Sequence, residues 1–262
     1  MQRMTDPAMH RSEVFFFDDF ESGNLRKWDS CDTHQAGHPP TLTEDYNFTY
    51  QGNYALDLIA LPGHSAGAKV VKWFLPGLEE VYARWYCYFP ENFEPGPYLH
   101  FCGFLGGPAN DPYAAFGKAT TRPNGRDFFN TALDPIRQGM HALPPGVLAL
   151  YTYYPDMTLD RSGQYWGNLF YSDPPYQLAR GRWYCMEMMV KCNTPGRRDG
   201  TQAAWIDGKQ IINVSDLRWR DTEELKVHAF WLDLYLFDSP QVNHVYFDNV
   251  ALSRSYIGPI PH

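Results

Sequence analysis

Four stretches of the chain carry aromatic, basic and acidic side chains at every second position. Arg84, Tyr86 and Tyr88 alternate in the first, and Tyr98, His100 and Cys102 in the second. Tyr151 and Tyr153 alternate in the third, and Trp231, Asp233 and Tyr235 in the fourth. A period of two places each set on one face of a β-strand. A fifth stretch, Arg182 to Lys191, puts Trp183, Glu187 and Lys191 on one face and Tyr184, Met186, Met188 and Val190 on a nearly apolar face suited to a core. Together the polar sets predict one aromatic cleft of mixed charge. In it Tyr98, Tyr151, Glu187, Trp231 and Asp233 would bind a ligand, because aromatic faces stack on flat rings such as sugars. His100, Tyr153 and Tyr235 could move protons, and Arg84 and Lys191 could hold an anion. Glu187 and Asp233 also form a second option, a carboxylate pair flanking a glycosidic bond. The plainer role for His100 is a core or rim histidine held by a hydrogen bond, and for the tyrosines it is packing or stacking.

The elements that must position these residues read as strands. Gly181 to Lys209 is organised as Arg182 to Lys191, a polar connection through Asn193-Thr-Pro-Gly196 and Gly200, and a return run Gln202 to Asp207. Asp207-Gly208 then suits a tight hairpin turn, since glycine accepts positive φ at little cost. Further strands are expected at Val14 to Phe20, Tyr54 to Leu61, Ala68 to Phe74, Val81 to Phe89, Tyr98 to Leu105, Val147 to Tyr154, Leu225 to Phe237 and Asn243 to Ser253. Residues 106–147 and 155–177 read as long loops, the first with one or two short strands, and such loops are usually functional or mobile. Helical periodicity is nearly absent. Many short strands punctuated by Gly and Pro predict an all-β sandwich or jelly roll of two antiparallel sheets. No linker stands out, which predicts one domain over 14–259 preceded by an extension, 1–13, left by expression or by maturation.

Composition narrows the function. With 262 residues the chain can bury one large core. Aromatics make up 16%, fitting a large β-core, a ring-stacking surface, or both. A net charge of −8 and no basic stripe argue against nucleic acid as a partner. No apolar run is long enough to span a membrane. The five cysteines form no CxxC pair, so a zinc site is not expected, and buried free thiols are the simpler reading. GHSAG (Gly63 to Gly67) has the GxSxG spelling but no helix-period run follows it to make an elbow, and a phosphate loop and a dinucleotide fingerprint are missing.

Three blocks carry a resemblance. FDDFESGNLRKW (Phe17 to Trp28) with YQGNYALDL (Tyr50 to Leu58), the central hairpin, and VYFDNVALSRSYIGP (Val245 to Pro259) resemble the concanavalin-like jelly-roll group. That group includes glucuronan lyases, alginate-lyase-type polysaccharide lyases and a cellulose-induced fungal secreted protein. Tyr98-Leu-His100 resembles the polar-x-His strand of those lyases, and Tyr235 their late-strand tyrosine. The resemblance implies a secreted or periplasmic protein, expected as a monomer, that cleaves an acidic polysaccharide by β-elimination. Arg84 or Lys191 would neutralise the uronate carboxylate, a His or Tyr would take the neighbouring proton, and a Tyr would protonate the leaving oxygen. The alternatives are a non-catalytic carbohydrate-binding protein and a hydrolase using Glu187 and Asp233. The resemblance also implies a structural Ca²⁺ tying the first and last strands through Asp19, Glu21, the segment Gln51 to Asn53, and Asp248, since calcium takes hard oxygen ligands.

Overall fold

A computed structural model describes residues 6–137 and 142–261; part of the expected long loop 106–147 lies outside the described residues, as do residues 1–5 of the expected extension 1–13. Sixteen strands build two sheets: β1 Val14–Asp18, β2 Ser30–Thr33, β3 Gly37–Thr43, β4 Ala55–Ala60, β5 Gly63–Leu78, β6 Glu80–Tyr88, β7 Leu99–His100 and β8 Cys102–Pro108. The second half adds β9 Phe129–Ile136, β10 Val147–Tyr153, β11 Asn168–Tyr171, β12 Trp183–Lys191, β13 Gly200–Ile206, β14 Lys209–Leu217, β15 Leu225–Ser239 and β16 Asn243–Ser253. The back sheet runs β14-β13-β12-β6-β16-β4-β3, with β1 also on β16. The front sheet runs β11-β10-β9-β8-β15-β5-β2, with β7 also on β15. Every pairing between these strands is antiparallel. The expected all-β sandwich is therefore the observed fold.

Alternation decides what lies between the sheets. In β12 the apolar set Tyr184, Met186, Met188 and Val190 enters the core, as does Phe230, Leu232, Leu234 and Leu236 in β15. Trp85 of the back sheet meets Phe230 of the front sheet with ring centroids 5.5 Å apart, so the layers interlock. Each fully buried side chain of this size contributes roughly 2–3 kcal/mol by removal from water. One polar tie crosses the core. Gln202 of β13 accepts from Thr131 at 2.8 Å and donates to Thr152 at 3.0 Å, and all three are fully buried. Satisfied in this way the tie fixes the relative position of the layers instead of weakening them.

The central hairpin forms as its sequence predicts. Asp207 and Gly208 take φ of 50° and 80° and turn the chain into β14, a strand the sequence reading did not mark. β5 also runs further than expected, continuing to Leu78 through Pro76-Gly77. The segment 106–147 contains β9, and 155–177 contains β11.

One expectation about faces is overturned. Arg84, Glu187 and Lys191 lie on the outer face of the back sheet, not in a common cleft with His100 and Tyr235. Arg84 is fully buried there, ion-paired with Asp6 and lying 5.3 Å from the Tyr86 ring centroid. Glu187 accepts hydrogen bonds from the backbone N–H groups of Ile257 and Gly258, each at 2.8 Å, and Tyr86 accepts one from Ile260 at 2.8 Å. Lys191 pairs with Glu80 at 3.4 Å. The physical reason is that both sheets have an outward face. Period two separates inward from outward side chains but does not say which sheet a strand joins. This back face is closed by the chain's own ends. Ala8, in the short turn Pro7–His10, is buried against Ala251 and Ile257, and Asp6 is buried beside Arg84.

Burial pushes the Glu187 carboxyl up to about 7, against the two N–H bonds and the charge of Arg84 that pull it down. The folded state thus holds a proton more tightly than the unfolded chain, whose carboxyl titrates near 4.5. The stability this group confers is complete below that lower value and is lost as pH rises through about 7. Thermal unfolding across about pH 5 to 8 should therefore show a decline in melting temperature that Glu187→Gln flattens; equal slopes in the two proteins would refute this role.

Candidate active site

The front sheet presents its outward set to solvent. Trp231, Asp233 and Tyr235 of β15 share this face because Leu232, Leu234 and Leu236 occupy the core. Cross-strand register then places their neighbours. Tyr235 lies opposite His100 of β7 on one side and Gly67 of β5 on the other, and Asp233 lies opposite Lys69 of β5. Three residues later Gly103 faces Trp231, so three residues of one strand span four of the other. That irregularity carries both Phe101 and Cys102 into the core, where strict alternation had placed Cys102 beside His100. Tyr151 and Tyr153 of β10 complete the floor. The segment Phe116 to Ala119 and Trp166 rise beside it, enclosing a cleft of about 310 Å³.

The polar atoms are held in pairs. His100 Nδ1 lies 2.9 Å from Asp134 Oδ2, while Asp134 Oδ1 accepts from the Phe101 N–H at 2.8 Å. Asp134 is fully buried, whereas the His100 side chain is 43% exposed, so the ring's other nitrogen is left for the cleft. Burial pulls the His100 pKa down, but the Asp134 hydrogen bond and the charges of Asp134 and Asp233 outweigh it and leave the pKa above its ordinary value. His34 Nε2 is paired with Asp233 Oδ1 at 2.9 Å. The Tyr235 hydroxyl lies 3.1 Å from Ser65 Oγ, and its ring is flanked by His100 at 5.8 Å and His34 at 4.9 Å. The hydroxyls of Tyr151 and Tyr153 lie 3.2 Å apart, and burial, followed by the charge and hydrogen bond of Tyr153, raises the Tyr151 pKa. Lys69 is only 18% exposed; its ammonium sits 4.0 Å from Asp32 and 4.8 Å from the Phe116 ring centroid.

Of the residues expected here, His100, Tyr151, Tyr153, Trp231, Asp233 and Tyr235 are brought together. Tyr98 stands on the same face, exposed, beyond the enclosed part of the cleft. Arg84, Glu187 and Lys191 are not present. Glu187 and Asp233 lie on outward faces of different sheets, so they cannot flank one bond. Sequence reasoning missed His34, Ser65, Lys69, Lys118 and Asp134. Lys69 was open to discovery, since Lys69, Val71 and Trp73 alternate within an expected strand. His34 and Asp134 belong to parts read as irregular.

The residues matched to calcium do not fit it. Glu21 accepts from the N–H groups of Asn53 at 2.6 Å and Tyr54 at 2.9 Å, and from the Asn53 side-chain amide at 3.0 Å. Asp248 accepts from the N–H groups of Tyr50 at 2.9 Å, Gln51 at 3.0 Å and Asn249 at 2.7 Å. Asp19 accepts from the Glu21 N–H at 3.3 Å. The segment near Gln51 thus offers these carboxylates the positive ends of N–H dipoles, where calcium would need carbonyl oxygens. Among the described residues no group of three or more His, Cys, Asp or Glu is placed to hold a metal. Glu21 and Asp248 clamp the strand ends with hydrogen bonds.

The comparisons accord with this geometry. Residues 150–250 match the family described as Polysaccharide lyase 14. The alginate lyase vAL-1 from Chlorella virus is similar over 92% of this chain and 100% of its own, with a TM-score of 0.69 and 16% identity. An endo-beta-1,4-glucuronan lyase from the fungus Trichoderma reesei is similar over 92% and 96%, with a TM-score of 0.58 and 15% identity. The cellulose-induced protein Cip1 is similar over 93% and 99%, with a TM-score of 0.59 and 18% identity. The fold is that of the jelly-roll polysaccharide lyases. No curated protein matches the sequence. The resemblance carried by the three sequence blocks is borne out, and the segment 150–250 contains Tyr151, Tyr153, Trp231, Asp233 and Tyr235.

Two outcomes follow. Chelation with EDTA should leave the melting temperature unchanged, while Asp248→Ala should lower stability by roughly 2–4 kcal/mol by stranding buried N–H groups; a melting temperature that falls on chelation and recovers with calcium would show that the ion binds. If His100 works as a base, the acid limb of kcat/KM should lie above the ordinary histidine value, and Asp134→Asn should move it to lower pH; an unmoved limb would show that another group titrates.

Proposed function

We propose that the protein is a polysaccharide lyase that cleaves a uronic-acid-containing polysaccharide by β-elimination in the front cleft. One observation carries the reading: the Tyr235 hydroxyl, the exposed edge of the Asp134-bound His100, and the ammonium of Lys69 all face the same pocket. In a polyuronide the proton to be removed sits on the carbon bearing the carboxylate, and neutralising that carboxylate makes the proton acidic. Lys69, seconded by Lys118, supplies the cation that the sequence reading had sought in Arg84 and Lys191. Asp134 holds the proton on Nδ1 of His100, leaving the Nε2 lone pair to take the carbon-bound proton. The bond to the leaving glycosidic oxygen breaks as the carbon–carbon double bond forms. Tyr235 gives its proton to that oxygen, and Ser65 orients the hydroxyl. His34, held by Asp233, fixes the other side of the Tyr235 ring. Trp231 and Tyr151 offer ring faces to the sugars.

Hydrolysis by a carboxylate pair is disfavoured. The cleft carboxylates Asp134 and Asp233 are each engaged by a histidine, and Glu187 is behind the other sheet. Since such polymers occur outside cells, this reading places the protein in a secreted or periplasmic setting, acting as a monomer.

Incubation with alginate, glucuronan, pectate and an ulvan-type polymer should raise the ultraviolet absorbance of unsaturated uronides with at least one of them. Folded His100→Ala and Tyr235→Phe should each lower that rate by ~10²–10⁴-fold. Lys69→Ala should raise KM and lower kcat on the acidic polymer, while Arg84→Ala should act only through stability. New reducing ends without unsaturation would make the protein a hydrolase, and binding without cleavage would make it a carbohydrate-binding protein.

A further inference from the structure

β15 does not end its outward row at Tyr235. Two residues on, Phe237 points the same way, because Leu236 between them is buried. Across the strand pair, Leu99 faces Leu236 and His100 faces Tyr235, which sets Tyr98 opposite Phe237. The Phe237 N–H donates to the Tyr98 carbonyl at 3.3 Å, closing that register. The two rings meet edge to face with centroids 5.8 Å apart. They are nevertheless 40% and 46% exposed, which for neighbouring aromatic rings on a packed sheet leaves a bare apolar step. His64, on β5, contacts the Phe237 ring edge at 6.0 Å and is itself paired with Asp238.

The step lies in line with the reacting groups. Two strand residues advance about 6.8 Å, which puts the two rings directly beside the Tyr235 and His100 side chains. Phe237 is the next outward ring of β15 after Tyr235, and Tyr98 the outward ring two residues before His100. We propose that Tyr98 and Phe237 form a further sugar subsite of this cleft, a stacking platform for the pyranose ring adjoining the cleaved unit, with His64 at its polar edge. The inference rests on the reading of the cleft as a polyuronide site. Its occupant is the same polymer, because the platform continues the outward row of β15 directly from Tyr235. Rings of this kind present apolar C–H faces to an aromatic surface and polar groups at their rim, matching the Phe237 face and the His64 edge.

Both residues are exposed, so their truncation leaves the core intact. Phe237→Ala and Tyr98→Ala should each raise KM for the polymer roughly tenfold, in keeping with aromatic contacts of this size, while kcat at saturating polymer stays within about twofold. The double variant should also shift the lengths of the unsaturated products, because one subsite no longer anchors the chain. Tyr46→Ala, a still more exposed ring outside this row, is the control and should change neither. An active wild type whose KM and product lengths are untouched by both variants would overturn the platform while leaving the lyase reading in place. If the wild type binds alginate or glucuronan in affinity electrophoresis without cleaving it, and Phe237→Ala weakens that retardation, the platform stands and the lyase reading falls. A wild type that neither binds nor cleaves any of the four polymers overturns both.

Discussion

The register of β15 is the constraint on which the site depends. This strand is hydrogen-bonded to β5 along one edge and to β7 and β8 along the other, so its alternation is fixed from both sides. A slip of one residue would drive Leu232, Leu234 and Leu236 into the cleft and Asp233 and Tyr235 into the core. Exposing three buried leucines costs several kcal/mol, and a buried carboxylate without its histidine costs more. Gly67 shows how tight the fit is. It has φ of 125°, and a Cβ there would stand 1.6 Å from the Leu234 carbonyl oxygen. At Gly103 a Cβ would stand 2.2 Å from the Thr131 carbonyl oxygen of the neighbouring strand and 2.9 Å from the Trp231 ring.

The two outward faces use similar residues for opposite ends. On the back, Arg84 is sealed against Asp6, and Glu187 is capped by the N–H groups of Ile257 and Gly258. Both side chains are used to fasten the segments around Asp6 and Ile257 to the sheet. On the front, each carboxylate is matched to a histidine that stays partly exposed, and Lys69 keeps only a distant partner. A protein with a net charge of −8 thus keeps a cationic element where an anionic polymer would have to approach.

Much of this was legible in the sequence, and the boundary has a physical cause. The spans of β12, β15 and β16 followed from their alternation, and the Asp207-Gly208 turn from its chemistry. Tyr151, Tyr153, Trp231, Asp233 and Tyr235 were found because they alternate with inward apolar partners on β10 and β15, and His100, on the two-residue β7, was found by its spacing from Tyr98. Arg84, Glu187 and Lys191 obeyed the same rule and still belonged elsewhere, because periodicity carries no information on sheet membership. His34 lies just past β2, a short strand at the sheet edge with little apolar signal, so nothing local marked it. Asp134 is a buried carboxylate in β9, and its value comes only from the partner that folding brings to it.

The pairing of His100 with Asp134 also sets a tension within the cleft. A protonated His100 adds positive charge beside Lys69 and Lys118 and so favours capture of a polyanion. A neutral His100 is the form able to accept a proton. The buried Asp134 raises the pKa and makes the imidazole a stronger base, at the cost of a smaller neutral fraction near neutral pH. A bound uronate would push the same way, since a nearby anion favours the imidazolium. In the proposed reaction Lys69 would limit this effect by taking the substrate carboxylate to itself, which would both acidify the carbon-bound proton and shield the histidine from the anion. In that reaction base strength from Asp134 and charge neutralisation from Lys69 would act as a matched pair, and the cross-strand register of β15 with β5 and β7 holds Lys69 and His100 on the two sides of Asp233 and Tyr235.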